Sequence, residues 1–339
     1  MKYTDLPYEI KLDSINQVMD LSSQHLTEQI IEKDWWVTQV LKAVFSLPYA
    51  HHLSFKGGTS LSKCWHLIDR FSEDIDIAIS RDFLGYGGDL SRTQISDKLR
   101  RAACSFVREK MQYDVRDALI AQGINEDCFS VSVNITPVST TDPETVELEY
   151  HSALPDNSYI RHCVLMEVSG RSMQEPVRCE KVQSFFDEYL PQAAVAEKPF
   201  SIPNVVVPER TFLEKVFLLH EEFAKQQEEI RTKRMSRHLY DIVNMIQAGI
   251  ADRALHDEHL YRTIVEHRRK FINLKGFDYN QLYPATLSIV LPNKFVDLWR
   301  KDYEVMRLNM IYGESPSFDE LMKFIEDLQQ RIRQLPYMP

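Results

Sequence analysis

No stretch of the 339-residue chain approaches about 18 consecutive apolar residues, so the sequence offers no membrane-spanning helix. The opening residues, MKYTDLPYEIKLDS, place charges and a proline where a secretory leader would place an apolar run. Cysteine is sparse and unpaired: Cys64, Cys104, Cys128, Cys163 and Cys179 form no C-x-x-C motif and are odd in number. That argues against a zinc site or a disulfide framework and for a reducing cytoplasm. Repeats and low-complexity tracts are also missing, apart from a short polar run from Lys225 to Arg237. Positive charge is in deficit, with 40 Lys and Arg against 50 Asp and Glu, which argues against generic nucleic-acid binding by the whole chain. The deficit is uneven: residues 206–339 carry 20 basic against 20 acidic side chains, and residues 1–205 carry 20 against 30. At 44% hydrophobic and 27% charged, what remains is an ordinary globular composition, long enough for two domains.

The stretch that concentrates chemistry is Phe55 to Ile79, FKGGTSLSKCWHLIDRFSEDIDIAI. Leu53-Ser54-Phe55 reads as a strand end running into Gly57-Gly58, where the backbone can turn sharply and expose its N–H groups to a ligand. Thr59 or Ser60 is read as an N-cap, with Leu61, Cys64, Trp65 and Ile68 at helical spacing behind it. A helix N-terminus behind a glycine turn favours phosphate. In Asp74-Ile75-Asp76-Ile77-Ala78-Ile79 the alternation of a strand puts both aspartates on one face and the isoleucines in the core. Two adjacent carboxylates repel unless a cation lies between them, and hard oxygen ligands suit magnesium. Each feature alone is commonly structural, a plain turn or a solvated strand edge. Their conjunction within 25 residues points to half of a two-metal phosphoryl-transfer site.

Elsewhere Asp13 to Phe45 reads as two helices, with Glu32-Lys33-Asp34 as a charged surface beside Trp35-Trp36. Ser91 to Gln122 reads as helical. Strands follow at Ser130 to Thr136, Val146 to Tyr150 and Arg161 to Ser169, separated by turns at Pro137 to Pro143 and Pro155-Asp156-Asn157. With the two earlier strands they make a mixed sheet of about five. Glu167 sits among apolar strand residues. It is either a third metal ligand or base near Asp74 and Asp76, or a partner of Arg171 or Arg161. Glu197-Lys198-Pro199, Pro203 and Pro208 mark an extended connector. Helices are then expected over Glu209 to Gln226, Ser236 to Ala248, Leu255 to Phe271, Leu291 to Met306 and Phe318 to Leu335, the last opened by a Ser317/Glu320 capping box.

Two of these helices carry charges inside apolar patterns: Lys215 in RTFLEKVFLL and Asp241 in RHLYDIV. Spacing alone favours an inter-helix ion pair. The functional reading is a lysine that neutralises phosphate charge and an aspartate that orients it. Arg231, Lys233, Arg234, Arg237 and His238, and then His267-Arg268-Arg269-Lys270 with Lys275, read as solvated faces or as contacts for RNA phosphates.

Phe55-Lys56-Gly57-Gly58-Thr59-Ser60-Leu61, followed by Arg70-Phe71-Ser72-Glu73-Asp74-Ile75-Asp76, resembles the signature of the AbiEii-type nucleotidyltransferase toxins of abortive-infection and toxin–antitoxin systems. The likeness extends to Glu32-Lys33-Asp34, Glu214-Lys215 and Tyr240-Asp241. It implies an α+β fold: a polymerase-β-like core with a small mixed sheet flanked by helices over residues 1–205, then a mainly helical domain over 206–339. It also implies that Lys56, Gly57, Gly58, Thr59 and Ser60 bind nucleotide phosphates, that Asp74 and Asp76 hold Mg²⁺ with Glu167 as a third ligand, and that Lys215 and Asp241 complete the catalytic set. The spacer of fourteen residues between Thr59 and Asp74 is longer than is usual in the wider superfamily, and no motif fixes the third carboxylate.

The activity expected from this resemblance is Mg²⁺-dependent transfer of NMP from an NTP to an acceptor hydroxyl, the tRNA 3′ end, by a cytoplasmic toxin with a cognate antitoxin. For that chemistry the helical part must bring Lys215 and Asp241 to face Asp74 and Asp76. The alternatives are an idle RNA- or protein-binding module on the same fold, and a phosphotransferase acting on a protein or small molecule.

Overall fold

The computed structural model describes residues 2–72, 74–134, 144–155 and 160–339. The chain forms two compact units, Met1–Trp65 with Phe71–Val206, and His66–Arg70 with Val207–Pro339.

In the first unit α1 (Tyr8–Leu21) and α2 (Glu28–Val44) precede β1 (Leu53–Lys56), α3 (Gly57–Lys63) and β2 (Asp74–Ile79). A long helical run follows, with α4 (Arg100–Phe106) and α5 (Gln112–Ala121) joined by a wider π-type turn at Val107–Met111. Then come β3 (Phe129–Asn134), β4 (Glu144–Tyr150), β5 (Cys163–Ser169), β6 (Val177–Val182), α6 (Phe185–Tyr189) and β7 (Phe200–Val206). Among the described residues the strands form one mixed sheet of seven in the order β3-β4-β5-β2-β1-β7-β6. One face of the sheet is apolar: Phe55, Ile75, Ile77, Val164, Met166, Val168, Val146 and Leu148 are all buried. Helix α2 lies on that side, where Trp36 stacks on Tyr150 with ring centroids 4.9 Å apart.

The sheet is larger than the five strands expected, because β6 and β7 read poorly in sequence. β6 is an edge strand with Arg178, Glu180 and Lys181 along it, a composition that protects an open edge and hides the period-2 pattern. β7 contains Pro203 and was expected as a connector; here it is a strand that pairs with both β1 and β6. The proline is accommodated because the register of β6 against β7 shifts between Arg178 and Glu180, opposite Pro203-Asn204, so no regular ladder bond is lost. Asn204 then donates its side-chain amide to the carbonyls of His51 and Leu53.

Two further expectations change. Helix α3 starts at Gly57, with Lys56 as its cap residue, and it ends at Lys63 short of Ile68. The chain turns away at His66, which has φ of 50°, and joins the second unit. Glu32, Lys33 and Asp34 are not a charged surface, since each is at most 2% exposed. Glu32 accepts hydrogen bonds from the Tyr3 hydroxyl, the Ser152 hydroxyl and the Ala153 N–H. Asp34 accepts from Lys63 Nζ at 2.7 Å and caps the Phe185 N–H at 2.8 Å. Lys33 Nζ lies 5.9 Å from the centre of the Phe71 ring. The strand end at Ile135-Thr136, the turn from Pro137 to Pro143, Asp156-Asn157 and Glu73 lie outside the described residues.

The second unit consists of α7 (Pro208–Phe223), α8 (Ser236–Gln247), α9 (Ile250–His256), α10 (Glu258–His267), α11 (Val296–Asn309) and α12 (Phe318–Arg333), together with the segment His66–Arg70. The single helix expected over Leu255 to Phe271 is broken by Asp257, whose carboxylate caps α10 through the Leu260 N–H at 2.9 Å. Ser317 and Glu320 form the expected capping box on α12. No helix among the described residues is long and apolar enough to cross a membrane.

Candidate active site

The acidic pair lies on the polar face of the sheet. Directly paired residues on neighbouring strands share a face. Asp76 is paired with Lys56 on β1 and with Glu167 on β5, and Glu167 in turn with Thr145 on β4. Lys56, Asp76, Glu167 and Thr145 therefore form one row across four strands, all partly exposed, with Asp74 two residues from Asp76 on the same face. Lys56 Nζ stands 3.9 Å from Asp76 Oδ1. Arg161, one partner considered for Glu167, is bound instead to Glu147.

The glycine turn and the acidic strand meet at Gly57. Its φ is +81°, and a Cβ placed there would lie 1.9 Å from Asp76 Oδ2. Gly57 is thus required twice, by its backbone conformation and by the carboxylate packed against it. The Thr59 and Ser60 side chains are buried and committed to backbone carbonyls. The Thr59 hydroxyl donates to Asp74 O, and the Ser60 hydroxyl donates to Gly57 O at 2.9 Å. They shape the turn and hold β2 beside it. The groups that can meet a ligand there are the backbone N–H groups at the start of α3 and the Lys56 ammonium.

Asp74, Asp76 and Glu167 supply only carboxylate oxygens, a donor set that suits Mg²⁺, which commonly takes one or two protein carboxylates and fills its remaining positions with water and phosphate. Among the described residues no three His, Cys, Asp or Glu side chains converge closely enough to enclose a metal by themselves. The chemistry of the pair fits the ion, while a complete protein cage is absent.

Lys215 and Asp241 belong to the second unit, where α7 and α8 bring them together. Lys215 Nζ lies 2.9 Å from Asp241 Oδ2, so the inter-helix ion pair favoured by spacing is present. Asp241 is fully buried and has a second partner, because Arg70 grips it with Nε to Oδ1 at 2.7 Å and Nη2 to Oδ2 at 2.8 Å. Burial alone would raise the Asp241 pKa, but the charges of Arg70 and Lys215 outweigh it and hold the carboxyl far below the usual range. Burial lowers the Lys215 pKa, aided by Arg70 and Arg237 and opposed by Asp241. His238 is pushed well below the ordinary histidine value by burial and by Lys215 and Arg237, which leaves it neutral near pH 7.

A family profile described as the nucleotidyl transferase AbiEii toxin of type IV toxin–antitoxin systems matches residues 39–324. The chain belongs to the AbiEii nucleotidyltransferase toxin family. The activity class of this AbiEii chain is therefore nucleotidyl transfer. No curated protein matches it significantly. Among solved structures it is similar to JHP933 from Helicobacter pylori, at 16% identity over 91% of this chain and 94% of that one, with a TM-score of 0.41. It is similar also to an H. pylori protein described as a candidate nucleotidyltransferase, at 17% identity over 91% and 96% of the two chains, with a TM-score of 0.40.

In this AbiEii chain the sequence pattern left Arg70 without a role, since its partner is 171 residues away and no local spacing points to it. The basic clusters read as possible RNA contacts are partly consumed within the fold. Arg231 binds the buried Glu222, and Arg268 binds the buried Glu221.

Proposed function

We propose that this AbiEii-family protein transfers NMP from an NTP to an acceptor hydroxyl in a Mg²⁺-dependent reaction, with the 3′ end of tRNA as acceptor and a cognate antitoxin as its counterpart in the cell. The observation that carries the reading is the row on the polar sheet face. Asp76 stands against the backbone of Gly57, with Asp74 two residues away on the same face and Lys56 and Glu167 in register on either side of Asp76. Asp74 and Asp76 would hold the magnesium, with Glu167 on the strand beside Asp76 and water and phosphate filling the remaining positions, and the ion when bound supplies charge neutralisation for the triphosphate. Lys56 and the N–H groups of the glycine turn bind phosphate oxygens, and the absence of a side chain at Gly57 lets the ligand approach the backbone. Lys215 offsets phosphate charge as the new P–O bond forms and pyrophosphate leaves. Asp241, fully buried between two cations, positions Lys215 without touching the acceptor. Most of the rate then comes from positioning and charge neutralisation, as expected for phosphoryl chemistry.

The test is incubation with Mg²⁺, each α-labelled NTP in turn and total tRNA, followed by separation of the RNA. Label on RNA is expected with the native chain and not with Asp74→Ala/Asp76→Ala. Full retention of transfer by that variant would overturn the site. Label from γ-labelled but not α-labelled NTP would replace nucleotidyl by phosphoryl transfer.

A further inference from the structure

Glu32, Lys33 and Asp34 stand out in the sequence and have no part in the reaction proposed above, yet all three are buried in α2. Asp34 reaches the helix that carries the glycine turn. We infer that the Asp34–Lys63 pair positions this turn: by clamping the far end of α3 to α2, it sets where Gly57, Gly58 and Lys56 stand relative to Asp76. The inference rests on the reading of the Gly57-Gly58 turn as the phosphate-binding element. Asp34 and Lys63 act through the turn and touch no substrate.

Both oxygens of Asp34 are in use. Oδ1 receives Lys63 Nζ from α3 at 2.7 Å, and Oδ2 receives the Phe185 N–H from the start of α6 at 2.8 Å. Lys63 Nζ donates also to the Gln183 carbonyl at 2.5 Å and stands 5.5 Å from the centre of the Phe185 ring. With side-chain exposures of 3% for Asp34 and 10% for Lys63, the pair is shut away from solvent, and Lys63 is directed at α2 and α6 rather than at a ligand. A buried pair of this kind adds little stability over apolar packing of the same volume, but its hydrogen bonds are directional and fix one geometry.

Helix α3 transmits that geometry. It is seven residues long, so Lys63 lies about 9 Å from Gly57 along one short helix. Lys56, the cap residue, makes no side-chain capping bond, which leaves the start of the helix to be placed by contacts elsewhere. Those contacts lie at both ends. The Thr59 hydroxyl donates to Asp74 O on β2, and just beyond Lys63 the Trp65 indole donates to Val206 O on β7 at 3.0 Å. Tolerance is narrow where the turn meets the acidic strand, because a Cβ on Gly57 would lie 1.9 Å from Asp76 Oδ2. Lys56 Nζ is 3.9 Å from Asp76 Oδ1, so a tilt of α3 displaces both the backbone and the ammonium that meet the phosphates. All of these residues belong to the first unit.

The first measurement needs no activity. The full chain is labelled with 15N at its ten glycines, and carbonyl-13C lysine marks Gly57 and Gly276 alone, told apart by Lys275→Arg; Gly58 is assigned with Gly58→Ala. In Asp34→Asn, which keeps the side-chain shape and removes the charge, the Gly57 and Gly58 amide resonances should shift while those of Gly249, Gly276 and Gly313 in the second unit stay in place. Lys63→Met should shift the same two and serves if Asp34→Asn does not fold. Unmoved Gly57 and Gly58 resonances in a folded variant overturn the proposal.

The second measurement is kcat/KM for NTP well below each variant's melting midpoint, where the protein is folded. Asp34→Asn and Lys63→Met should each lose about 10- to 100-fold, since misplacing a binding element by about 1 Å is enough. Lys63→Arg, which keeps a cation against Asp34, should recover part of that loss. The double variant should be no slower than the slower single one, because the two residues make one contact. A pair that only stabilises the fold would lower the midpoint and leave kcat/KM unchanged; that result, or losses that multiply in the double variant, sinks the idea. Absence of transfer by the native chain, with shifted glycine resonances in the variants, would defeat the transferase reading and leave the coupling of Asp34 to the turn standing.

Discussion

At Gly57 two constraints coincide that a side chain could satisfy only by moving the acidic strand: a left-handed backbone and a carboxylate oxygen 1.9 Å from where a Cβ would be. Gly57→Ala is therefore expected to cost about 1–3 kcal/mol from backbone strain alone and to displace Asp76 as well. The thermal midpoint should fall and nucleotidyl transfer should drop further than the fraction unfolded explains. An unchanged midpoint would show that Gly57 and Asp76 are not in contact. Gly57, Asp74 and Asp76 were legible in the sequence because a glycine pair and an i, i+2 acidic pattern need only local geometry. The burial of Thr59 and Ser60 was not legible, because their acceptors are backbone carbonyls whose placement depends on how α3 meets β2.

Helices α7 and α8 were located to within a few residues by their apolar spacing, while Pro208, read as part of the connector, is the first residue of α7. What joins them is less visible. Asp241 lies in the core of α8 between Lys215 of α7 and Arg70, and its removal takes a shared carboxylate from two buried cations. Asp241→Ala should destabilise the protein by about 3–5 kcal/mol, measured by denaturant unfolding. The pH dependence follows from the depressed Asp241 pKa. A carboxyl ionised more readily in the folded than in the unfolded chain adds stability that is fully present above its ordinary value of 3.8 and lost as pH falls through the lower folded value. Native protein should thus lose stability more steeply in acid than Asp241→Ala, and parallel acid curves would refute the assignment. Burial of Glu32, Lys33 and Asp34 in α2 has the same lesson. Charge beside tryptophan reads as surface until the Ser152-Ala153, Lys63 and Phe185 partners are brought around it.

On the scale of the molecule, the chain visits the second unit twice, first for five residues between α3 and β2 and then from Val207 onward. A cut at the proline-rich stretch, as composition recommends, therefore separates Asp241 from Arg70 and Ile311 from its bridge partner. A fragment of residues 207–339 is expected to be poorly folded, with a poorly dispersed NMR spectrum and no cooperative melt, although it contains six helices of the second unit. A well-dispersed spectrum from that fragment would show that the segment His66–Arg70 is dispensable.

By itself the sequence determined the family, the α+β class, the glycine turn and the acidic pair, because each is written in spacings of a few residues and enforced by backbone geometry. Tertiary structure alone decided that β6 and β7 extend the sheet, that Glu167 lies in register with Asp76, and that Arg70 completes the Asp241–Lys215 pair. Those outcomes depend on strand register, burial and partners as much as 171 residues distant, none of which leaves a periodic mark on the chain.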